Sequence, residues 1–452
     1  MPVATTIPYS MISRRRRWDS YYFDPRFIDI EDAIRRFPRH LALGEVAIPL
    51  FAKGIFEISA KEYVDSGIPF IRISNLRGGL IDTEDIAYIT AARSEMDGRT
   101  ELTQFDLVLS KTAYPAASLV QLPICNVSQD CIAVKTSRGK AYNCFLTAFL
   151  NCRFGLPQME RLFQGNIQAH LGLNEAREIL IPDPGPSFLA EIEMLMVGAV
   201  SARQRFADSH ASAYEQLDRA LHLEKVPQLE RLEYSTRFQE VAHAHRWDAQ
   251  HYRPEYGDLI DVMADAIGRQ NLLSLRQMVI FNQRGKQPVY VEGGPVAVVN
   301  SQHIGPQHIR IDELASTSQA VYAQDQRSRL APNDVVVYST GAYVGRTNIW
   351  LEDMPAVASN HVNILRLKPE YDAAYVALVL NSKVGAMQTE KHGTGSTQVE
   401  LYPGNLAKFM IPVLDPKVQR KIGDKVRASY GALKESKALL EKAKHRVEQL
   451  IE

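Results

Sequence analysis

Four cysteines are all that the 452 residues supply, and no two of them form a C-x-x-C pair. Zinc sites favour close thiolate pairs completed by further Cys or His ligands, so that chemistry has no foothold here. Cys125, Cys131, Cys144 and Cys152 instead read as reduced core thiols of a cytoplasmic protein. Net charge is missing too: 52 Lys and Arg balance 52 Asp and Glu. A global nucleic-acid signature is thereby absent, although a local basic face can hide inside a neutral total. No apolar run is long enough to cross a bilayer. Arg14 to Arg17 follow the weakly apolar start, the reverse of a secretory signal's order.

Catalytic signatures are equally scarce. "NQRGKQP" has the Gly-Lys of a phosphate-binding loop without its first glycine or hydroxyl, and "GTGSTQ" at 393–398 lacks the third glycine of a dinucleotide fingerprint. There is no H-E-x-x-H, no G-x-S-x-G and no N/D-P-P-aromatic segment. Asp130 and Lys135 in "QDCIAVK" could be half of a metal-dependent nuclease site, but solvated strand positions account for both. No catalytic residue, metal ligand or cofactor is assigned to this chain. It reads as a non-enzyme.

What the chain does have is a repeat. "RWDSYYFDPRF" at 17–27 returns as "RWDAQHYRPEY" at 246–256, with Trp18 and Trp247 229 positions apart. "FDLVLSKTAY" around Asp106 returns as "NDVVVYSTGAY" around Asp334, and "FLTAFLNCRFG" at 145–155 as "YVALVLNSKVG" at 375–385. "ILIPDPGP" at 179–186 returns as "FMIPVLDP" at 409–416. Landmarks in one order with slippage of one or two residues mean tandem duplication of a unit half the chain long. That length also exceeds what one core serves.

Each unit changes periodicity in the same sequence. Short β-branched runs bounded by turn residues come first: "IPFIRISNL", "DLVLSKT" and "DCIAVKT", then "PVAVVNSQHI", "DVVVYST" and "VNILRLKP". Helical spacing follows at 144–154 and 374–384, then a glycine-punctuated loop and the I-P strand. Long helices close the units, from 187 to about 224 and from 416 to 452. Their apolar stripes are narrow, which predicts a coiled-coil seam more than burial in a globule. Polar Arg203 and His210 interrupt the first stripe and could set its register. Trp18 and Trp247 read as scaffold, each packed on its globule beside a capping Asp. The fold class expected is α+β: two tandem homologous domains with two long antiparallel helices between them.

This pattern resembles the specificity (S) subunit of type I restriction–modification systems, the HsdS family. It is carried by "GIPFIRISNL" followed by "DLVLSKT", by the loops ending in I-P at Pro182 and Pro412, and by the duplication with its long helices. The resemblance implies target-recognition domains at 1–185 and 227–412 and spacer helices at 186–226 and 413–452. Each domain would read one half of an asymmetric bipartite site in double-stranded DNA. The helices would fix the gap and dock two methyltransferase (M) subunits, with restriction/translocase (R) subunits completing the complex. S-adenosylmethionine, ATP and Mg would belong to those partners. Unit one departs from the pattern in "SKTAYPAAS", where the family carries a glycine-bearing turn. Recognition subunits of other DNA-modification or phage-defence systems share this organisation. A stand-alone nuclease or a protein-binding scaffold are readings from other classes.

Reading DNA requires Arg or Lys for guanine, Asn or Gln for adenine, and small polar groups for phosphate. Such residues gather in the loops between landmarks. Unit one offers Arg72, Ser74, Asn75 and Arg77, then Lys111, Thr112 and Tyr114, then Gln164, Asn166, Gln168 and His170. Unit two offers Asn300, Gln302, His303, Gln307 and His308, then Thr340, Tyr343 and Arg346, then Lys391, His392, Thr394, Ser396, Thr397 and Gln398. Polar residues populate loops in any protein, which is the plain alternative for each. The two sets differ almost everywhere while the landmarks recur. Arg14 to Arg17 could grip phosphate or form a solvated arm.

Overall fold

The computed structural model describes residues 6–15, 17–96, 98–164, 169–227, 231, 233–395 and 398–452. It divides into two compact units, one of residues 1–204 with 433–452 and the other of residues 205–432.

In the first unit a sheet is ordered 49–53, 131–136, 107–110, 117–119, 79–80, and a second is ordered 63–64, 87–89, 68–71, 124–127, 102–103. The second unit has the sheet 279–284, 362–367, 335–338, 347–349 and the sheet 315–317, 296–299, 356–358. The correspondence extends to strand direction. Ile68–Ile71 runs parallel to Ile124–Val127, as Val296–Val299 does to Ala356–Ala358. Leu107 pairs with Leu119, and Val335 with Ile349, in antiparallel ladders. A short antiparallel pair closes each unit, His40 opposite Pro182 and Leu272 opposite Pro412. The strands common to the two lobes keep one order and direction, and the first lobe adds edge strands at 63–64, 79–80 and 102–103.

Side chains that satisfy buried backbone groups also return. Gln158 donates to the carbonyls of Phe154 and Leu180 at 3.0 Å and accepts from the Leu180 N–H at 2.9 Å. Gln388 does the same for Val384 and Met410, at 3.2, 3.0 and 2.6 Å. Asn151 accepts from the Ala117 N–H at 3.2 Å, and Asn381 from the Thr347 N–H at 3.0 Å. At Gly54 a Cβ would lie 2.1 Å from the Val127 carbonyl oxygen, and at Gly285 1.9 Å from that of Ala358. Only glycine permits either approach.

The expected helices are Lys140–Leu150 and Ala373–Asn381, and the long pair Pro186–Leu221 and Pro416–Ile451. In the first unit the long helices run antiparallel: Arg446 grips Glu191 at 2.6 and 3.1 Å, and Ser436 donates to the Ala199 carbonyl at 2.8 Å. In the second unit Lys425 bonds Ser212. The stripes are not confined to a helix–helix seam, however. Ile192, Leu195, Met196, Ala443 and Val447 join the core of the first unit, while Ala213, Leu217, Leu221, Ile422 and Val426 join that of the second. Each globule thus covers the helix flank that the partner helix leaves open. His210 is buried between Phe206 and Tyr214, and Arg203 meets Asp82 at 3.5 Å.

The tryptophans overturn their expectation. Trp18 is 77% exposed and Trp247 78% exposed. Their landmark works instead through its neighbours: Arg17 bonds Asp19 at 2.7 Å, Arg246 bonds Asp248 at 2.6 Å, and the Asp caps the turn that follows. All four cysteines are buried unpaired thiols, and burial pushes Cys125, Cys131 and Cys144 up to about 12 and Cys152 up to about 11. No helix among the described residues is long and apolar enough to cross a membrane.

Candidate nucleic-acid interface

Three polar segments meet in the first unit. A 3-10 turn, Ile73–Asn75, follows the strand Ile68–Ile71. Asn75 is buried, and its amide holds this turn: Oδ1 accepts from the Arg72 N–H at 3.0 Å and Nδ2 donates to the Asp82 carbonyl at 2.9 Å. Arg72 donates to the Asp85 carbonyl at 2.9 Å, Ser74 is exposed, and Arg77 lies 4.0 Å from Asp82. The Tyr114 hydroxyl sits 2.9 Å from the Ile73 carbonyl and 3.1 Å from that of Leu76, tying the second segment to the first. Half-buried Lys111 accepts at its carbonyl from the Leu171 N–H at 2.8 Å, and buried Thr112 bridges His170. The third segment is a hairpin, Phe163–Gln164 against His170–Leu171, with His170 exposed. Asn166 and Gln168 lie outside the described residues, and only the backbone of Gln164 is described.

The second unit repeats the frame with other contents. His303, 228 positions after Asn75, is equally buried, and its Nδ1 accepts from the Asn300 N–H at 3.0 Å. Burial lowers its pKa. Asn75 and His303, expected as readers, build their turns instead. Asn300 accepts from the Tyr290 hydroxyl at 3.0 Å, Gln302 is exposed, and Gln307 is half-buried. His308 is buried with its ring 5.8 Å from Phe206, which turns it towards the long helix Pro186–Leu221. Asn348 donates to the Gly305 carbonyl at 2.9 Å, linking this loop to the strand after the second turn.

That second turn is two residues longer than its counterpart, because Val337 pairs with Thr347 where Leu109 pairs with Ala117. Tyr343 is 54% exposed, and the Arg346 guanidinium lies 3.7 Å over its ring. Thr340 is buried and bridges Glu400, which also exchanges backbone hydrogen bonds of 2.9 and 2.7 Å with Thr394. Gln398 is exposed; Ser396 and Thr397 lie outside the described residues. Lys391 is half-buried, and burial lowers its pKa. Burial and neighbouring cations push His392 down to about 3. These two form the root of the third loop.

Two arginines missed in the sequence hold this arrangement together. Arg284 donates to the carbonyls of Ser339 and Leu401 at 3.2 and 3.3 Å, one on each side of the paired second and third loops. Arg246, from the repeated R-W-D, donates to the Gly393 carbonyl at 2.9 Å while bound to Asp248. His251 bonds the Lys391 carbonyl at 2.7 Å beside it. The recurrence of Arg-x-Asp was the one available signal.

The exposed groups are hydroxyl, amide, imidazole and guanidinium donors set on an ordered frame, which suits recognition of polar edges. Among the described residues no cluster could hold a metal ion. Lys135 lies 3.7 Å from Asp106, just as Arg366 pairs with Asp334 at 2.7 Å, so the lysine of the nuclease candidate belongs to a repeated structural ion pair that does not include Asp130.

No family model matches this chain, and no curated protein matches it. Solved structures do. Those that align with it include type I specificity subunits, all at low scores. The Type-I restriction–modification S subunit from M. genitalium aligns over 92% of this chain and 96% of its own, at 11% identity and a TM-score of 0.38. The HsdS subunit from Thermoanaerobacter tengcongensis aligns over 91% and 96%, at 17% identity and a TM-score of 0.28. A structure from work on assembly and conformational transition of the type I R-M system aligns over 92% and 98%, at 15% identity and a TM-score of 0.30. At such scores the likeness reaches no individual residue.

Proposed function

We propose that this chain is a non-catalytic DNA-specificity subunit whose two recognition domains, 1–185 and 227–412, each read one half of an asymmetric bipartite site. The observation that carries this reading is internal. The strands common to the two units keep one order and the backbone-satisfying amides recur, while the loops they bring together differ in nearly every polar side chain. A shared frame with divergent reading edges is what two different half-sites require. Ser74, Arg77, Lys111 and His170 form one edge, with Tyr114 latched behind it, and Gln302, Tyr343, Arg346, Thr394 and Gln398 form the other. Arg72, Thr112, Asn300 and Thr340 position those edges. The helices 186–226 and 413–452 set the gap and dock methyltransferase subunits, which bring S-adenosylmethionine; translocase subunits bring ATP and Mg.

The test is methylation mapping of a host genome carrying this chain and its methyltransferase. Exchanging the loops 300–308, 339–346 and 391–400 for those of unit one should change one half of the methylated site and leave the other half and the gap intact. Methylation that ignores the exchange, or DNA cleavage by the purified chain with divalent metal alone, refutes the proposal.

A further inference from the structure

Outside the reading edges, one surface feature occurs twice with the same geometry. Tyr9 and Trp18 are 72% and 77% exposed, with ring centroids 6.4 Å apart and planes inclined at 58°. Phe238 and Trp247 are 72% and 78% exposed, 6.3 Å apart and inclined at 57°. Each first ring opens a short helix, Tyr9–Arg15 or Phe238–Ala244, and each tryptophan sits within the Arg-x-Asp frame. Asp19 accepts from the Tyr22 N–H at 3.0 Å and Asp248 from the His251 N–H at 3.1 Å, so both tryptophans stand on fixed turns.

Single exposed aromatics are ordinary, but a matched pair kept on both halves of a duplication is not. The reading loops diverged after duplication because their targets differ. A surface held constant faces the same partner twice. Tryptophan and tyrosine are also the side chains that anchor protein interfaces. Charge narrows the partner further. In sequence Arg14, Arg15 and Arg16 lie between Tyr9 and Trp18, and Arg237, His243 and His245 lie beside Phe238 and Trp247 together with Glu240, while Arg17 and Arg246 are each already paired with an aspartate. Duplex DNA answers to cations but offers no open ring face without unstacking, whereas an apolar protein pocket with an acidic rim takes both features.

We infer that the Tyr9–Trp18 and Phe238–Trp247 pairs are twin docking knobs, each received by an acidic-rimmed apolar pocket on one of two copies of the methyltransferase subunit. The inference rests on the functional reading above and adds a contact away from the long helices.

Native mass spectrometry and titration calorimetry of the full chain with its purified methyltransferase test it. The wild-type chain should bind two copies. Trp18→Ala and Trp247→Ala should each weaken one site by about 30-fold, the size of an interface anchor, and the double variant should weaken both. Because both rings are exposed, the thermal midpoint should not move, and phenylalanine at either position should restore part of the affinity. Two copies bound by the double variant at wild-type affinity overturn the inference while the functional reading stands. Loss of DNA affinity or of self-association without loss of methyltransferase also overturns it. A wild-type chain that binds no methyltransferase removes the functional reading together with the inference.

Discussion

Replacing Arg246 by alanine should blunt recognition of one half-site while leaving the other intact. Arg246 reaches its loop through one charge-assisted bond, to the Gly393 carbonyl at 2.9 Å, and is itself oriented by Asp248 at 2.6 and 3.0 Å. Its side chain is 20% exposed and that of Asp248 44%, so the ion pair is partly solvated and contributes below about 1 kcal/mol. The bond to the carbonyl, donated by a charged group, adds about 1.5 kcal/mol, the lower end for a charged donor because the side chain is partly solvated. A total near 2 kcal/mol shifts the order–disorder equilibrium constant of the loop by about 30-fold, which is the upper limit on the loss of its ordered population. The assay is competition gel-shift of the assembled complex at fixed salt, with cognate DNA against DNA scrambled in one half. Discrimination at the half read by unit two should fall by up to about 30-fold, and discrimination at the other half should hold. An equal loss of affinity for cognate and scrambled DNA would mean that Arg246 grips phosphate, and the positioning argument would then be wrong.

His392 is held neutral by burial, with its pKa down at about 3, and the unfolded chain titrates near the ordinary 6.5. The folded state therefore binds fewer protons below pH 6.5, and stability falls as pH drops from there towards about 3, by up to about 1.4 kcal/mol per pH unit. His392→Leu, the residue that unit one carries at Leu162, should flatten that slope in urea unfolding at pH 7 and pH 5; superimposable profiles would count against it. Gln158→Leu and Gln388→Leu each strand a buried N–H and two carbonyls, and should cost about 2–3 kcal/mol apiece in denaturant midpoints. A loss in one and not the other would break the equivalence of the units. The four thiols, buried and with raised pKa values, should resist Ellman's reagent in the native state and all react on unfolding.

The fold was legible where residues recur for structural reasons. Asp106 and Asp334 return because each caps a turn and pairs across strands, and the I-P of 181–182 and 411–412 because each closes its unit. Sheet order was hidden, since the parallel pairing of 68–71 with 124–127 joins residues far apart in sequence. The helices Pro25–Arg36 and Glu255–Ile267 went unread behind the repeated proline. Large aromatics usually lie inside, so nothing in the composition said that Trp18 and Trp247 stand outside. Loop polarity could not separate Ser74, which is exposed, from Asn75, whose amide is consumed by backbone.

The second turn shows how one frame yields two edges. In unit one Ala113 itself takes the left-handed φ of 66° that glycine adopts without strain, and Tyr114 folds back onto the Ile73 and Leu76 carbonyls. In unit two Gly341 carries a positive φ of 132°, the turn gains two residues, and Tyr343 swings out with Arg346 stacked upon it. Both turns start from equivalent buried threonines, Thr112 and Thr340, each bridged to its third loop. The strands leave no room for change, because their registers bury every side chain of 107–110 and 335–338. Variation is therefore confined to residues beyond the last ladder bond, and there a two-residue insertion is enough to turn a latched tyrosine into a projecting one.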